Sequence, residues 1–288
     1  MKIPAKGYDL TIEINDFILS YDDVGEGRIP IVFLHGFPFD KTMWEKQIEF
    51  LKTSYRLIAC DIRGFGKSKD EKSPLNMNLF TDDLIEFMDK LYIDKAVICG
   101  LSMGGYITLN AAKRFPDRFE ALILCDTQCI ADTPEIKENR LKTIAKIEEE
   151  GVANFNKEFI KSVFHKDSLT DKKELVEKLE SVVFANSQHI IIQGLLALAI
   201  RAETCSTLDR IRIPTLIICG REDAITPLGQ SQYLKEHIIG STLKIIDDAG
   251  HVSNLEHPNE FNEHLSEFLI NLSEVHAENW MENQRMIR

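Results

Sequence analysis

The sequence predicts an α/β protein with a mostly parallel sheet and helices on both faces of that sheet. The run I-P-I-V-F-L-H-G at 29–36 is almost wholly apolar and ends in glycine, which is typical of a strand buried on both faces. Strand-like and helix-like segments then alternate to residue 125 and again after residue 212, the pattern of repeated β-α-β units. The 288 residues are enough for one such domain with an insertion.

The individual elements follow from the same patterns. Near the N-terminus, D-L-T-I-E-I-N-D-F-I-L-S-Y alternates apolar and polar residues around Asn15 and Asp16, which predicts an antiparallel hairpin. Further strands are predicted at 55–61, 95–99, 120–125, 213–220 and 242–248, and helices at 41–52, 76–91, 103–115, 228–239 and 258–272.

The alternation stops between about residues 127 and 206. This segment is helix-like, with a charge-rich first half and an apolar second half that contains I-I-I-Q-G-L-L-A-L-A-I. We therefore predict an α/β core formed by 1–126 and 207–274, with a helical subdomain inserted at 127–206. The C-terminal extension, 275–288, receives no role.

Composition and charge limit the classes of partner. The chain has 34 basic and 46 acidic residues, a net charge of -12, so its field should repel nucleic acid and anionic lipid. The N-terminus has no apolar run of signal-peptide length, and no stretch approaches the ~18 apolar residues that span a bilayer. We expect a cytoplasmic protein whose partner is a small-molecule substrate, and the oligomeric state stays open.

The cysteines give no metal or redox motif, because no C-x-x-C pair occurs. Four of them lie near the ends of predicted strands and are interpreted as small buried residues in a reducing compartment: Cys60, Cys99, Cys125 and Cys219. A metal or disulfide role is the alternative for these four.

The strongest functional signal is G-L-S-M-G, in which Gly100, Ser102 and Gly104 fill the pattern G-x-S-x-G. It lies between a predicted strand and a predicted helix, the position of a nucleophile elbow. In such a turn the serine takes a strained conformation, the glycines avoid clashes, and the next N–H groups lie at a helix N-terminus. The alternative is that Ser102 only caps the helix.

A serine hydroxyl needs a base, and the base needs a group that orients it. The expected chain order is serine, acid and then histidine. Asp223 and His251 follow two successive strands at the sheet edge where α/β proteins assemble their sites. Asp126, which follows the strand that ends at Cys125, is the main alternative acid, and Glu222 is a lesser one.

Other histidines are expected to pack or to bind backbone. His257 stands beside Pro258 at a helix start, and His35 is predicted to hold a turn by bonding backbone. The rest lie on helix-like stretches and are expected to be ordinary surface or core residues: His165, His189, His237, His264 and His276.

An oxyanion hole needs two N–H donors beside the nucleophile. The run F-L-H-G-F-P-F-D ends the first buried strand, and Gly36 permits a sharp turn there. We predict that the N–H groups of Phe37 and Met103 form the hole.

No cofactor or metal is predicted. The run G-F-G-K-S at 64–68 is no phosphate loop, because Asp61 stands where that motif requires its first glycine. The sequence also has no H-E-x-x-H or similar group of metal ligands.

The chain resembles the α/β-hydrolase superfamily over roughly residues 9–272, because five motifs occur in order: H-G-F-P-F-D, D-I-R-G-F-G-K-S, G-L-S-M-G-G, G-R-E-D-A-I-T-P and G-H-V-S-N-L-E-H-P. It is most similar to the branch of small carboxylesterases, 3-oxoadipate enol-lactone hydrolases and cofactor-free haloperoxidases (perhydrolases). The resemblance implies an eight-stranded sheet, a helical cap at 127–206 and the roles already assigned to Ser102, Asp223, His251, Phe37 and Met103.

The segment A-L-A-I-R-A-E-T is similar to a cap stretch of the enol-lactonases, whose arginine there contacts a substrate carboxylate. Arg201 is the matching residue. The neighbouring sequence departs from that family, so a salt-bridged surface arginine is the alternative.

The leading hypothesis is hydrolysis of a small carboxylic ester or lactone through an acyl-enzyme. Perhydrolysis or halogenation by the same site is one alternative. A hydrolase-fold ligand receptor or signalling protein is the other.

Overall fold

A computed structural model describes residues 5–286, and for 275–286 it gives the helical backbone alone. Its strands are β1 (Gly7–Ile14), β2 (Phe17–Val24), β3 (Ile31–Leu34), β4 (Leu57–Cys60), β5 (Ala96–Leu101), β6 (Phe119–Cys125), β7 (Thr215–Gly220) and β8 (Thr242–Ile246). They form one eight-stranded sheet in the order β1-β2-β4-β3-β5-β6-β7-β8. β2 pairs antiparallel with both β1 and β4, and all other neighbours are parallel. The mostly parallel sheet is confirmed.

The helices are α1 (Glu45–Leu51), α2 (Met77–Lys90), α3 (Met103–Arg114), α4 (Pro134–Glu150), α5 (Ala153–Val163), α6 (Ser168–Asp171), α7 (Lys173–Phe184), α8 (Gln188–Ala199), α9 (Leu228–His237), α10 (Ser253–Glu256) and α11 (Pro258–Met286). The sheet buries side chains on both of its faces. In β5, for example, Ile98 belongs to one apolar cluster, while its neighbours Val97 and Cys99 belong to the opposite one. This explains why the central strands are apolar without alternation.

The N-terminal hairpin is also confirmed, with β1 and β2 joined at Asn15 and Asp16. Both turn residues have positive φ, 40° and 70°. Two successive left-handed residues match the twist of paired strands, and asparagine and aspartate tolerate that conformation best after glycine.

Helices α4 to α8 lie between β6 and β7, where the sequence placed its insertion. We call these helices and the loops between them the cap. Within the described part of the chain, no one helix has both the length and the apolar character needed to cross a membrane. Helices α7 and α8 meet those criteria only when taken as a pair, and that pair is bent by 94°.

The last helix is longer than the sequence suggested. We expected it to end near residue 272, and that boundary is wrong, because α11 continues to Met286. Ile287 and Arg288 lie outside the described residues.

A disulfide joins Cys129 and Cys205, which are 76 residues apart at the two ends of the inserted segment. The N–H of Thr204 donates to the carbonyl of Cys129 at 2.8 Å and pairs the same two ends through the backbone. The other four cysteines are buried and free, as expected. Disulfides persist best in oxidising compartments, so this pair argues against the reducing one that those four suggested. Cytoplasmic location stays a prediction.

Removing this disulfide should destabilise the protein strongly. A closed loop of 76 residues restricts the unfolded chain, which corresponds to about 4 kcal/mol of folding free energy. We expect urea unfolding of the double variant C129S/C205S to give a free energy lower by about that amount. Wild-type protein treated with dithiothreitol should match the variant, and the variant should not respond to dithiothreitol. Equal stabilities of oxidised wild type and variant would contradict the prediction.

Candidate active site

Ser102 stands in the turn between β5 and α3 with a strained backbone. Its φ is 52° and its ψ is -111°, values that a residue with a side chain adopts only where the surroundings enforce them. Its N–H donates to the carbonyl of Cys125 at 2.9 Å, which ties the turn to the end of the neighbouring strand. Thr127 Oγ1 donates to the Ser102 carbonyl at 2.9 Å. These bonds hold the turn as the nucleophile-elbow pattern requires.

The glycines of this turn allow backbone segments to approach closely. A Cβ atom on Gly100 would lie 2.3 Å from the carbonyl oxygen of Gly104, and one on Gly104 would lie 2.3 Å from that of Leu34. The second contact matters most for the site, because it packs the start of α3 directly on the end of β3 and the residue that follows it.

His251 and Asp223 form a buried hydrogen-bonded pair. His251 Nδ1 lies 2.8 Å from Asp223 Oδ2. Asp223 Oδ1 accepts the N–H groups of Ile225 and Thr226 at 2.8 and 2.9 Å, and the Thr226 hydroxyl donates to Oδ2 at 2.7 Å. Three hydrogen bonds therefore fix the carboxylate, which in turn orients the imidazole.

The pair shifts the pKa of both members. Burial alone would lower the pKa of His251, but the charge and the hydrogen bond of Asp223 outweigh burial and raise it. Burial would raise the pKa of Asp223, but the charge of His251 and the hydrogen bonds from His251 and Thr226 outweigh it, so this pKa is lowered. The shifts favour an ionised carboxylate beside the imidazole.

Asp126, the alternative acid, uses both of its oxygens on other partners. Oδ1 accepts the N–H of Gly220 at 2.8 Å, and Oδ2 is 2.6 Å from the hydroxyl of Ser253. Burial first, and then the charge of Asp223, raise its pKa well above the ordinary range. The lesser alternative, Glu222, is exposed and accepts the N–H of Ala249 at 3.3 Å. The acid bonded to His251 is Asp223.

The contacts of Asp126 also bring the loops after the central strands together. Asp126 follows Cys125, whose carbonyl binds the Ser102 turn, and its side chain bonds the end of β7 and the start of α10. Ser102, Asp223 and His251 thus occupy loops at the carboxyl ends of the parallel strands.

The loop after β3 lies beside Ser102. A Cβ atom on Gly36 would be 3.3 Å from Ser102 Cβ, so Phe37, the next residue, also lies near the Ser102 turn. His35 holds this loop: one ring nitrogen is 2.9 Å from the Gly36 carbonyl, and the other accepts the N–H of Ile62 at 2.9 Å. Burial lowers the pKa of His35 to about 4, so the ring is neutral and binds backbone.

Aromatic side chains join this loop to the cap. The Phe37 ring contacts those of Phe65 and Phe159, each with a centroid distance of 5.9 Å. Gly194 of α8 packs on Phe37 so tightly that a Cβ atom there would lie 2.4 Å from the ring. The surroundings of the loop after β3 are therefore apolar.

The comparison with known families settles the class of the protein. The alpha/beta hydrolase fold family matches residues 29–258. The chain belongs to this family. Three of its relatives illustrate the range of activities within it.

One relative of this hydrolase is 3-oxoadipate enol-lactonase 2 of Acinetobacter baylyi, with 31% identity covering 90% of this chain and 96% of that protein. Another is a putative non-heme chloroperoxidase of Synechocystis, with 32% identity covering 87% and 94%. Among solved structures, a thermophilic esterase of Thermogutta terrifontis with malate bound has a TM-score of 0.85 and 33% identity, covering 89% of this chain and 94% of that one.

Arg201 of this hydrolase is 4% exposed. Its Nη1 bonds Asp132 at 2.6 Å, and its guanidinium lies 4.6 Å from the centre of the Tyr106 ring. Asp132 also binds Arg140 at 2.5 Å. Within the described residues, Nε and Nη2 of Arg201 have no hydrogen-bond partner. The arginine is ion-paired but buried, so the alternative of a salt-bridged arginine is right about the ion pair and wrong about the surface position.

The remaining predicted features have structural tasks. The carboxylate of Asp61 accepts the N–H groups of Lys41 and Lys67 and fills the space beside Gly66, which explains the glycine in G-F-G-K-S. His257 Nε2 lies 3.0 Å from the Asp248 carbonyl. His165 lies between α5 and α6, not on a helix as expected, and the side chain of His276 lies outside the described residues.

Two residues that hold the His251–Asp223 pair in place were not predicted from the sequence. Thr226 had a signal, because a threonine three residues after an aspartate often bonds back to it. Glu256 had no such signal, because its bridge from the His251 loop to the cap depends on a second partner, His165, which is 91 residues away.

Proposed function

We propose that this hydrolase cleaves a small carboxylic ester or lactone through an acyl-enzyme, with Ser102 as nucleophile, His251 as base and Asp223 as the group that orients it. The observation that carries this proposal is the buried 2.8 Å contact between His251 and Asp223 at the sheet edge that also holds the strained Ser102 turn. An oriented imidazole beside an elbow serine is the arrangement used for acyl transfer.

In the first half of the reaction, Nε2 of His251 takes the proton of Ser102 while Oγ adds to the substrate carbonyl. Nδ1 keeps its proton and donates it in a hydrogen bond to Asp223, whose charge stabilises the imidazolium. The N–H groups of Phe37 and Met103 bind the oxyanion. When the carbonyl reforms, the bond to the leaving alkoxide breaks and His251 protonates that oxygen. Water then attacks the acyl group by the same route and frees Ser102.

A fluorophosphonate probe, followed by mapping of the labelled peptide, tests the nucleophile. We expect a covalent adduct on Ser102, because the probe mimics the carbonyl and its phosphoryl oxygen occupies the oxyanion hole. Turnover of a panel of short-chain esters and lactones tests the reaction class. An unlabelled Ser102 together with no turnover would refute the proposal.

A second candidate is perhydrolysis, in which peroxide replaces water at the acyl-enzyme. It is favoured by the similarity to the putative chloroperoxidase of Synechocystis. Bromination of a dye in the presence of bromide, measured with and without acetate and peroxide, separates the two. Bromination that requires both reagents would support the peracid route.

The proposal also assigns Arg201 to a substrate carboxylate. The cluster of Arg201, Arg140 and Asp132 has one more cation than anion, and two guanidinium nitrogens of Arg201, Nε and Nη2, have no hydrogen-bond partner within the described residues. The Thermogutta esterase was solved with malate, a dicarboxylate. A buried cation with free donors binds a carboxylate through charge-assisted hydrogen bonds.

We expect Arg201→Met to lower kcat/KM for nitrophenyl hemisuccinate by about tenfold or more, because a hydrogen bond to a charged group is lost. Nitrophenyl butyrate, which has no carboxylate, should be much less affected. Arg140→Met serves as the control, because it removes the other cation that pairs with Asp132. An equal loss on both esters would mean that Arg201 only supports the cap.

A further inference from the structure

The cap is bonded directly to the loop that carries His251. The N–H of His251 donates to the carbonyl of Val163 at 2.8 Å. Gly250, the preceding residue, packs so closely on the cap that a Cβ atom there would lie 2.7 Å from both the Val163 oxygen and the His165 nitrogen. The position of the imidazole therefore depends on residues 163–165, at the end of α5 and the start of the loop to α6.

Glu256 connects these two segments with one carboxylate. Oε1 accepts the N–H of His165 at 2.8 Å, and Oε2 accepts the N–H of Gly250 at 2.6 Å. The residue is 3% exposed. Lys172, at the start of α7, donates to the Glu256 carbonyl and adds a further bond to the cap. Glu256 thus binds the cap on one side and the histidine loop on the other.

Only a carboxylate of this length satisfies both donors. An amide in its place presents one acceptor and one donor. One of the two buried N–H groups would then face another donor, which lowers the equilibrium constant for folding by a factor of the order of 10 to 100. A carboxylate shortened by one methylene keeps the charge but spans less distance. The two changes therefore separate the charge of Glu256 from its bridging position.

We propose that Glu256 is a positioning residue that fixes the His251 loop to the cap, so that cap geometry sets the turnover rate. This inference rests on the proposed function, in which His251 is the base. A misplacement of about 1 Å in a catalytic group can lower the rate about 100-fold. Turnover should therefore respond to Glu256 although this residue does not touch the reacting atoms.

Both Glu256→Gln and Glu256→Asp should lower kcat by at least about tenfold, with KM changed by less than about threefold, because the base is displaced while no proposed substrate-binding residue is changed. Glu222→Gln is the matched control. Glu222 also accepts an N–H from the same loop, at Ala249, but it is exposed. Its kinetics should stay within about twofold of wild type.

The pH profile supplies a readout that a purely structural role would not move. Three carboxyl groups face His251: Asp223 after β7, Asp126 after β6 and Glu256 on α10. The negative charge of Glu256 helps to raise the pKa of His251. In Glu256→Gln the basic imidazole should persist to lower pH, so the acid limb of kcat/KM moves to lower pH. In Glu256→Asp the charge remains, and the limb should stay in place.

Fluorophosphonate labelling distinguishes a failure here from a failure of the proposed function. If wild-type Ser102 is not labelled and the wild type turns over no ester or lactone, the proposed function fails. If the wild type is labelled and Glu256→Gln reacts at the same rate over the whole pH range, the positioning role is overturned. Only folded molecules react with the probe, so a smaller folded fraction lowers the amount of label but not the rate constant of labelling. If Glu256→Gln yields no folded protein, a wild-type kcat in Glu256→Asp overturns the inference.

Discussion

Ser102→Ala should lower kcat on short-chain nitrophenyl esters by about a million-fold. The methyl group cannot add to a carbonyl, and the proposed oxyanion donors and substrate binding alone leave only a residual rate. Release of nitrophenolate measures the loss. Because the backbone at this position is held by bonds to Cys125 and Thr127, the fold should remain.

Ser162→Ala is a suitable control for this experiment. Ser162 is exposed on α5 of the cap, where its hydroxyl donates to the Phe159 carbonyl in its own helix. Its removal should leave kcat within about twofold of wild type. Turnover in Ser102→Ala comparable to that of Ser162→Ala would exclude Ser102 as the nucleophile.

The parts of the site that the sequence predicted are those with a local cause. The Ser102 turn needs glycines at fixed offsets, and Asp223 and His251 lie in the loops that follow β7 and β8, so their positions can be inferred from neighbours in the chain. The sheet was predictable for the same reason, because burial on two faces leaves continuous apolar runs.

The parts that escaped prediction depend on contacts between distant segments. The disulfide joins residues 76 apart, and Glu256 meets His165 across 91 residues. Whether Asp126 or Asp223 orients the histidine could not be decided from the sequence for a related reason. Asp126 follows β6 at a position from which a carboxylate could reach His251, and only the structure shows that its oxygens bond Gly220 and Ser253 instead. Residue spacing alone carries no signal for such pairs.

The second large effect is expected for Asp223→Asn, which should lower kcat by about 10⁴-fold. The amide no longer stabilises the imidazolium, and it presents an N–H that favours the wrong imidazole tautomer. The sign of the pH change is also fixed. Asp223 raises the pKa of His251, so without this carboxylate the pKa falls and the acid limb of the residual kcat/KM moves to lower pH.

Asp126→Asn is the matched control, because the two carboxyl groups differ in charge state and partners. Burial raises the pKa of Asp126 well above its ordinary value, which favours a neutral carboxyl that an amide can mimic. The amide can accept from Gly220 and donate to Ser253, so kcat should fall by less than about tenfold. If Asp126→Asn lost about 10⁴-fold and Asp223→Asn little, the orienting acid would be Asp126, and the His251–Asp223 contact would not be the one that supports catalysis.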